Sequence, residues 1–403
     1  MPQPLAILDP SSRVALRPGD VPRDQHVDAL YVHVPFCFHK CHYCDFYSIT
    51  RQTPDRMARF VDLVLAEADL WRQEGPTVRP RTIFFGGGTP SLLPIGQMDR
   101  LLAGLRERFD FSLLDEWTVE VNPATTDLDY CRLLRRRGVT RLSFGAQSFD
   151  ERELAQLERH HKPEQVGQSI AIARDAGFER LNVDLIFAIP GQTLESWQRS
   201  LDTALALGTP HVSAYALTYE PNTPMAVKKR LGQVRSASEE LELEMLMHTR
   251  QVLGEAGLEA YEVSNFAVPG EACRHNLNYW TGGSYLGLGP SAASHVHGTR
   301  FRNKPHLGEW EQALDRRELP VVDFERLTDR QRRGETVMLM LRLRDGVDRD
   351  AYAARFGSDV ADDFADAIAP LRDNGLLLIS PNRVSLTEKA IPVADAVAAE
   401  FLG

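Results

Sequence analysis

Long apolar runs are missing from this sequence. None approaches the roughly eighteen residues that cross a bilayer as a helix, and Met1 to Asp20 has no continuous apolar core, so it does not read as a signal peptide. Cysteine is scarce, with 5 in 403 residues. So few thiols without an export signal point to a reducing, cytosolic compartment and against a disulfide framework. Positive charge is also short. The formal net charge of −10 argues against broad, sequence-independent nucleic-acid binding, which needs a basic surface. The local basic run Arg132, Arg135, Arg136, Arg137 and Arg141 reads as a solvated helix end whose cations suit the C-terminal dipole. No repeat or low-complexity tract is found. What remains, 43% hydrophobic and 25% charged residues over 403 positions, is an ordinary globular composition with room for two or three domains, or one barrel with an appendage.

The scarce cysteines are concentrated. Cys37, Cys41 and Cys44 share one loop, Cys-Phe-His-Lys-Cys-His-Tyr-Cys. Three thiolates are one ligand short of a closed tetrahedral metal site. They suit a four-iron cluster in which three irons are held by protein and the fourth is open to a small molecule, to which it can pass an electron. A zinc-stabilised structural protein is the weaker alternative. His33, His39 or His42 can supply a fourth ligand, but no second Cys-x-x-Cys pair completes the usual zinc pattern. A structural disulfide is weaker still, since Cys131 lies in an Arg-rich helical stretch.

From Ala29 to about Glu255 short β-rich runs alternate with longer amphipathic ones. The spacing predicts strands at Ala29–Val34, Thr82–Phe85, Trp117–Val121, Thr140–Phe144, Arg180–Ile186 and His211–Leu217. It predicts helices after Thr53-Pro54 and over Gln97–Arg108, Asp127–Arg137, Pro163–Ala176, Leu194–Leu207 and Ser238–Ala256. Six βα units imply a parallel sheet covered by helices, and six are fewer than the eight that close a barrel. The expected fold is therefore α/β, a partial (β/α)6 barrel over 29–257, after an N-terminal extension at 1–28. Residues 258–326 read as irregular structure with short strands beside the open edge of the sheet. Residues 327–403 read as a small winged-helix-like domain, with helices at Thr328–Leu343, Asp350–Phe356, Ser358–Asn374 and Glu388–Phe401 and a hairpin of Leu376–Ile379 with Val384–Leu386.

In parallel βα folds the chemistry sits at the carboxyl ends of the strands. Here the first strand runs into the cysteine loop and the second into Gly86-Gly87-Gly88-Thr89-Pro90-Ser91. This glycine run is neither a Walker loop nor a Gly-x-Gly-x-x-Gly turn; without side chains it lets a polar ligand approach backbone groups. Later strands carry Glu120-Val-Asn122, Gly145-Ala-Gln147, Asn182-Val-Asp184, and Tyr215 with Thr218. Glu120 and Asp184 are acids in apolar strands, where a charge is costly unless partnered. They are either paired with a neighbouring Arg or accept hydrogen bonds from a ligand's hydroxyl or ammonium groups. Together with Gln147 and the glycines they suit a nucleoside bearing an amino-acid tail.

This combination resembles the radical S-adenosylmethionine (SAM) superfamily through Cys37-x-x-x-Cys41-x-x-Cys44 and Gly86-Gly-Gly-Thr-Pro-Ser91. The resemblance implies a 4Fe–4S cluster on the three cysteines and SAM chelated to its open iron, where reduction of the sulfonium yields a 5′-deoxyadenosyl radical. It also implies SAM contacts at Tyr31, Gly87, Gly88, Thr89, Glu120, Gln147, Arg159 and Asp184, with Thr218 a weaker carry-over. Further motifs are similar to relatives of oxygen-independent coproporphyrinogen III oxidase: Tyr31-Val-His-Val-Pro-Phe-Cys37, Thr118-Val-Glu-Val-Asn-Pro123, Leu142-Ser-Phe-Gly-Ala-Gln-Ser-Phe149, Tyr261-Glu-Val-Ser-Asn-Phe266 and His275-Asn-Leu-Asn-Tyr-Trp280. The oxidase carries a fourth cysteine two residues after the third; here that position is Phe46. The short stretch before Cys37 also leaves little room for the oxidase's N-terminal arm. Both features resemble the haem-chaperone branch of the group.

That branch implies binding of haem and its delivery to haem-accepting proteins, with SAM cleavage secondary and no catalytic residue assigned. His275 is then the candidate axial ligand, with Tyr279 and Trp280 flanking the macrocycle. Cys273, His160, His161, His295 and His297 are further candidates. The implied partners are haem and its acceptors, including peripheral contact with membrane-bound haem proteins, and no nucleic acid. The alternative is the oxidase itself, decarboxylating propionates by radical chemistry. Ala188 and the run Gly289-Pro-Ser-Ala-Ala-Ser-His295 depart from the group's more glycine-rich pattern on the substrate-side wall.

Overall fold

A computed structural model describes residue 21 and residues 25–402. Of the expected N-terminal extension, Met1–Asp20 and residues 22–24 lie outside the described residues, and with them the reading of Met1 to Asp20.

The six expected strands form as β1 (His26–Val34), β2 (Thr77–Gly87), β3 (Glu116–Val121), β4 (Arg141–Gln147), β5 (Arg180–Phe187) and β6 (His211–Ala216). They lie side by side in sequence order, every pair parallel. β2 begins well before the expected Thr82. Its first residues pair only with β1 and contain Pro80, which is tolerated because β3 joins no earlier than Thr82, so this stretch has a free edge. β1 and β6 do not pair with each other. The architecture is α/β with an open parallel barrel.

Alternation along the strands sorts the side chains into two faces. Ile83, Phe85, Trp117, Val119, Leu142, Phe144, Leu181, Val183 and Val212 are buried in one core with the covering helices. Helix Pro54–Glu74 shows how that cover is specified. Thr53 caps it by accepting from the Arg56 N–H at 3.2 Å, Pro54 occupies the first turn, and Met57, Phe60, Val61, Val64, Ala68 and Trp71 make the buried stripe. The other strand face carries Tyr31, His33, Thr82, Phe84, Thr118, Glu120, Arg141, Ser143, Asn182, Asp184, His211, Ser213 and Tyr215, so the barrel interior is largely polar.

Residues 258–326 lie at both edges of this sheet, whereas the sequence pattern placed them beside one. β7 (Glu259–Ala260) and β8 (Asn265–Ala267) extend it beyond β6. β9 (Tyr285–Leu288) then pairs parallel with β1, and β10 (Ala293–Val296), β11 (Thr299–Asn303) and β12 (Val321–Arg326) follow antiparallel. The helix Arg274–Trp280 connects the two edges across the barrel floor, opposite the cysteine loop. It is anchored where Glu116 accepts from the His275 backbone N–H (3.1 Å) and pairs with Arg180 (3.2 Å).

One buried acid ties the β9 side to the barrel's helical cover. Glu67, on helix Pro54–Glu74, accepts from Gly289 N–H (2.9 Å), Asn303 Nδ2 (2.5 Å) and Trp310 Nε1 (3.0 Å). Burial outweighs these bonds and pushes its carboxyl up to about 8.

The C-terminal part has its own core of Val337, Leu341, Tyr352, Phe364, Ile368, Leu377, Val384 and Phe401. Its order is helix Asp329–Met340, β13 (Val347–Asp348), helix Arg349–Phe356, two further helices, β14 (Leu377–Ile379) and β15 (Arg383–Leu386), with β15 between the other two strands. The helix expected over Ser358–Asn374 is broken at Phe364, where φ is −128°, into Val360–Asp363 and Ala365–Asp373. The one expected over Glu388–Phe401 starts as a 3₁₀ turn, Glu388–Val393, because Pro392 lacks the N–H a longer helix needs. Among the described residues no helix is long and apolar enough to cross a membrane.

Candidate cluster and cofactor site

The cysteine loop is held by backbone bonds on both flanks. Cys37 N–H donates to Ile49 (3.0 Å) and Ile49 N–H to Pro35 (2.7 Å). On the other side Gly88 N–H donates to Val34 (2.8 Å) and Thr89 N–H to Phe36 (2.7 Å). Further along, His42 N–H reaches Leu157 O (3.4 Å) and Met225 N–H reaches His42 O (2.9 Å).

The glycines serve this packing directly. A Cβ on Gly88 would lie 2.7 Å from the carbonyl oxygens of Val34 and Phe36, and one on Gly87, where φ is +98°, would lie 2.4 Å from the His33 ring. The absent side chains at those two positions thus make room for the loop and for the His33 ring. At Gly86 a Cβ would meet the Glu120 carboxylate at 2.9 Å.

All three loop cysteines are free thiols, half-buried. The Thr89 hydroxyl donates to Cys37 Sγ (3.7 Å) and the Arg159 guanidinium to Cys41 Sγ (3.9 Å). Burial raises the Cys37 and Cys44 thiols, Cys44 to about 12, and the neighbouring cysteines raise them further. Such thiols become thiolates when a cationic centre sits among them. Among the described residues the side chains converging within 4.8 Å are His39, Glu158 and His160, not the three cysteines. Ligands of one ion converge in that way, whereas thiolates around a cube of four irons stand further apart. The donor set, three thiols in one loop with no second Cys-x-x-Cys pair, fits a 4Fe–4S cluster better than a single zinc.

Above the polar interior the expected SAM residues come together unevenly. Glu120 accepts from Gly87 N–H and has no cation beside it. Burial, then Asp184, pushes its carboxyl up to about 8. Asp184 is also raised by burial, but its oxygens already accept from Ser143 Oγ (2.8 Å) and Asn182 Nδ2 (2.9 Å). Among the described residues neither acid has an Arg at ion-pair distance, although the charge of Arg141 lowers Asp184. Gln147 is re-aimed by an irregularity in the β4–β5 register after Gly145 and takes φ +67°. Arg159 donates to the Gly145 carbonyl and leaves its Nε unpartnered. The Tyr31 hydroxyl bonds His33 Nδ1 (3.2 Å). Thr218 is exposed just past β6.

The sequence reading missed His33 as an interior residue; its Nε2 donates to Tyr47 O (2.8 Å). It also missed the network below Asp184, in which Asn182 bonds Ser143 (2.7 Å), Ser213 (3.0 Å) and His211 (2.6 Å). Polar residues at every second strand position were the available signal.

With this geometry in view, the sequence compares closely with known proteins. The radical SAM superfamily model matches residues 31–204 and the HemN C-terminal domain model residues 327–393. The "Heme chaperone HemW" of Mycobacterium tuberculosis is 38% identical over 96% of this chain and 97% of its own length. That of Lactococcus lactis is 32% identical over 94% of this chain and 98% of its own. The chain belongs to the HemW family. A solved structure also matches: the coproporphyrinogen III oxidase HemN of Escherichia coli, a radical SAM enzyme, superposes with TM-score 0.83 at 25% identity over 94% of this chain and 91% of that one. Membership of the HemW family carries with it the radical SAM domain and so the 4Fe–4S and SAM chemistry of the superfamily.

The segment expected to hold haem is buried at His275 and Trp280. His275 is 1% exposed. Its Nδ1 bonds Thr82 Oγ1 (2.8 Å), its Nε2 bonds the Tyr279 hydroxyl (2.9 Å), and its ring stacks on Phe84 at 5.3 Å. Burial pushes it down to about 3, so the imidazole is neutral. Trp280 is buried beneath the Arg342 guanidinium. Cys273 is buried against Glu116, His161 is buried, and His295 and His297 bond backbone groups. His160 stands apart, exposed beside the cysteine loop.

Proposed function

We propose that this protein is a haem chaperone that binds a 4Fe–4S cluster through Cys37, Cys41 and Cys44, holds SAM at the strand ends, and hands haem to acceptor proteins. The observation that carries the reading is HemW-family similarity over nearly the whole chain, together with Phe46 where the oxidase has a fourth cysteine. When bound, the cluster supplies one electron to the SAM sulfonium. The chain's own residues position and shield. Tyr31, Gly87, Gly88, Thr89, Gln147, Arg159, Asp184 and Thr218 line the SAM approach, and Arg159 offsets the thiolate charge at Cys41. Glu120 has unspent acceptor capacity for the ligand's ammonium or hydroxyl groups.

A cationic ligand favours the ionised form of Glu120, which is protonated in the free protein below about 8. SAM affinity of the cluster-loaded protein should therefore rise with pH towards that value and level off above it. Glu120→Gln should weaken binding about tenfold or more and flatten the profile, with cluster absorption unchanged. Equilibrium dialysis over that range checks it, and an unchanged profile in the variant would remove Glu120 from the site.

For haem, we propose the segment His275, Tyr279 and Trp280. Ligation by His275 requires a ring nitrogen to be released from Thr82 or Tyr279. A groove of about 440 Å³ lies on the outer side of the same helix, lined by Leu277, Thr281, Met340, Tyr352 and Arg355 with Asp345 and Asp348 among others; none of His275, Tyr279 and Trp280 lines it, so it is a separate candidate surface for a flat tetrapyrrole. The second reading, coproporphyrinogen III oxidation, is favoured by the superposition on HemN. One anaerobic experiment separates them: coproporphyrinogen III with SAM and reductant, then a separate haem titration. We expect no protoporphyrinogen and stoichiometric haem uptake, weakened in His275→Ala while iron–sulfur absorption persists. Product formation, or no haem uptake, would overturn the proposal.

A further inference from the structure

We propose that His39, Glu158 and His160 form a second metal site, independent of the cysteines, for a free divalent first-row ion such as Zn2+. It lies on the outer flank of the cluster loop. One imidazole comes from the loop itself. The carboxylate and the other imidazole come from the turn that follows helix Glu151–Gln156. The ligand atoms of the three residues lie within 4.8 Å of one another, with His39 Nε2 3.6 Å from Glu158 Oε2. Bonds of about 2.1 Å in a tetrahedral site set ligands roughly 3.4 Å apart, so this pair already stands at nearly the coordinating separation. The His39 and His160 rings are 4.7 Å apart, edge to face.

The backbone holds the ligands in place. Leu157 O takes the His42 N–H (3.4 Å) and Arg159 reaches Cys41, so the turn is clamped to the loop on either side of Glu158. Glu158 adopts φ +55°, a left-handed conformation that costs a non-glycine residue roughly 1–2 kcal/mol. The turn's own bonds enforce it, from Glu158 N–H to Ala155 O (3.2 Å) and from Arg159 N–H to Leu154 O (2.9 Å).

The chemistry of the set defines the ligand. Two imidazoles and one carboxylate, with a position left open, are the donors of catalytic zinc and of non-haem iron(II) sites. Haem iron does not fit. Its four equatorial positions are filled, and it cannot take an imidazole and a carboxylate side by side. His42 is the neighbouring fourth candidate, 3.7 Å from Glu158, but Lys228 Nζ lies 3.0 Å from its Nδ1 and opposes a dication there. The site is therefore assigned three protein ligands. Arg159 does not face it, since its guanidinium turns to Cys41 and Gly145.

Free cysteines would capture zinc, so the test uses full-length protein already loaded with its cluster. Titration with Zn2+ alone, followed calorimetrically and by metal analysis after desalting, should show one zinc per chain with iron content and iron–sulfur absorption unchanged. Glu158→Gln keeps the side-chain shape and removes the charge; His160→Ala removes an exposed ligand. Each should weaken zinc binding by at least about tenfold while the iron–sulfur absorption, which reports a folded loop, is retained. The proposal is overturned if no zinc binds, if zinc enters only by displacing iron, or if both variants bind as tightly as the parent.

Discussion

Serine in place of any one of Cys37, Cys41 or Cys44 should leave the anaerobically reconstituted protein without 4Fe–4S absorption and nearly free of iron. The reason lies in the donor count. The loop supplies three sulfurs, and Phe46 stands, 40% exposed, where a fourth could have been. A hydroxyl is a hard, weakly acidic ligand and does not replace a thiolate on iron. Cys131→Ser and Cys273→Ser should keep the cluster, because both thiols are buried elsewhere, Cys131 in the apolar core and Cys273 against Glu116. Iron and sulfide analysis of the five variants decides it. A loop variant that still holds four irons would mean an unrecognised protein ligand, and full zinc occupancy without iron would revive the structural-zinc alternative.

The second large effect concerns stability. Glu67→Leu removes the acceptor shared by Gly289, Asn303 and Trp310 and leaves buried donors unpaired, at about 1–3 kcal/mol each. A loss of about 3–5 kcal/mol is expected, read by chemical unfolding, with Glu67→Gln milder because it keeps an oxygen. The pH dependence carries a distinct sign. In the unfolded chain this carboxyl titrates near 4.5, but in the fold it holds its proton up to about 8. Between those values folding takes up a proton, so stability from this residue is full below the lower value and falls as pH rises, by at most about 1.4 kcal/mol per unit. Glu120 contributes in the same direction. Comparing Glu67→Gln with the parent across this window isolates the Glu67 share. Parallel slopes would show that Glu67 is ionised in the fold.

The barrel was legible because each of its strands is long enough to show alternation and each cover helix long enough to show a stripe. The cysteine loop was legible because its ligands are adjacent in sequence. Strands of two to five residues such as β7 to β11 show no period, so their division between two sheet edges could not be read. The breaks at Phe364 and before Ala394 are single-residue events inside otherwise helical patterns. The HNxxYW segment was visible as a motif, but the partners of His275 are tertiary: Thr82 is on β2 and Phe84 stacks from the same strand. Glu158 carried no signal in the sequence, and His160 stood there only as a further haem candidate, until the fold brought both to His39.

The pairing of β1 with β9 has a consequence for how the chain is made. β1 leads directly into the cysteine loop, yet its outer edge meets no partner until Tyr285–Leu288 has left the ribosome. At about 5–20 residues per second that interval is on the order of tens of seconds. Throughout it the nascent protein exposes an apolar strand edge beside the free thiols of the loop. Iron–sulfur assembly before that point would act on an incomplete scaffold, which favours cluster insertion after synthesis of the β9 segment and makes shielding of nascent β1 a determinant of yield.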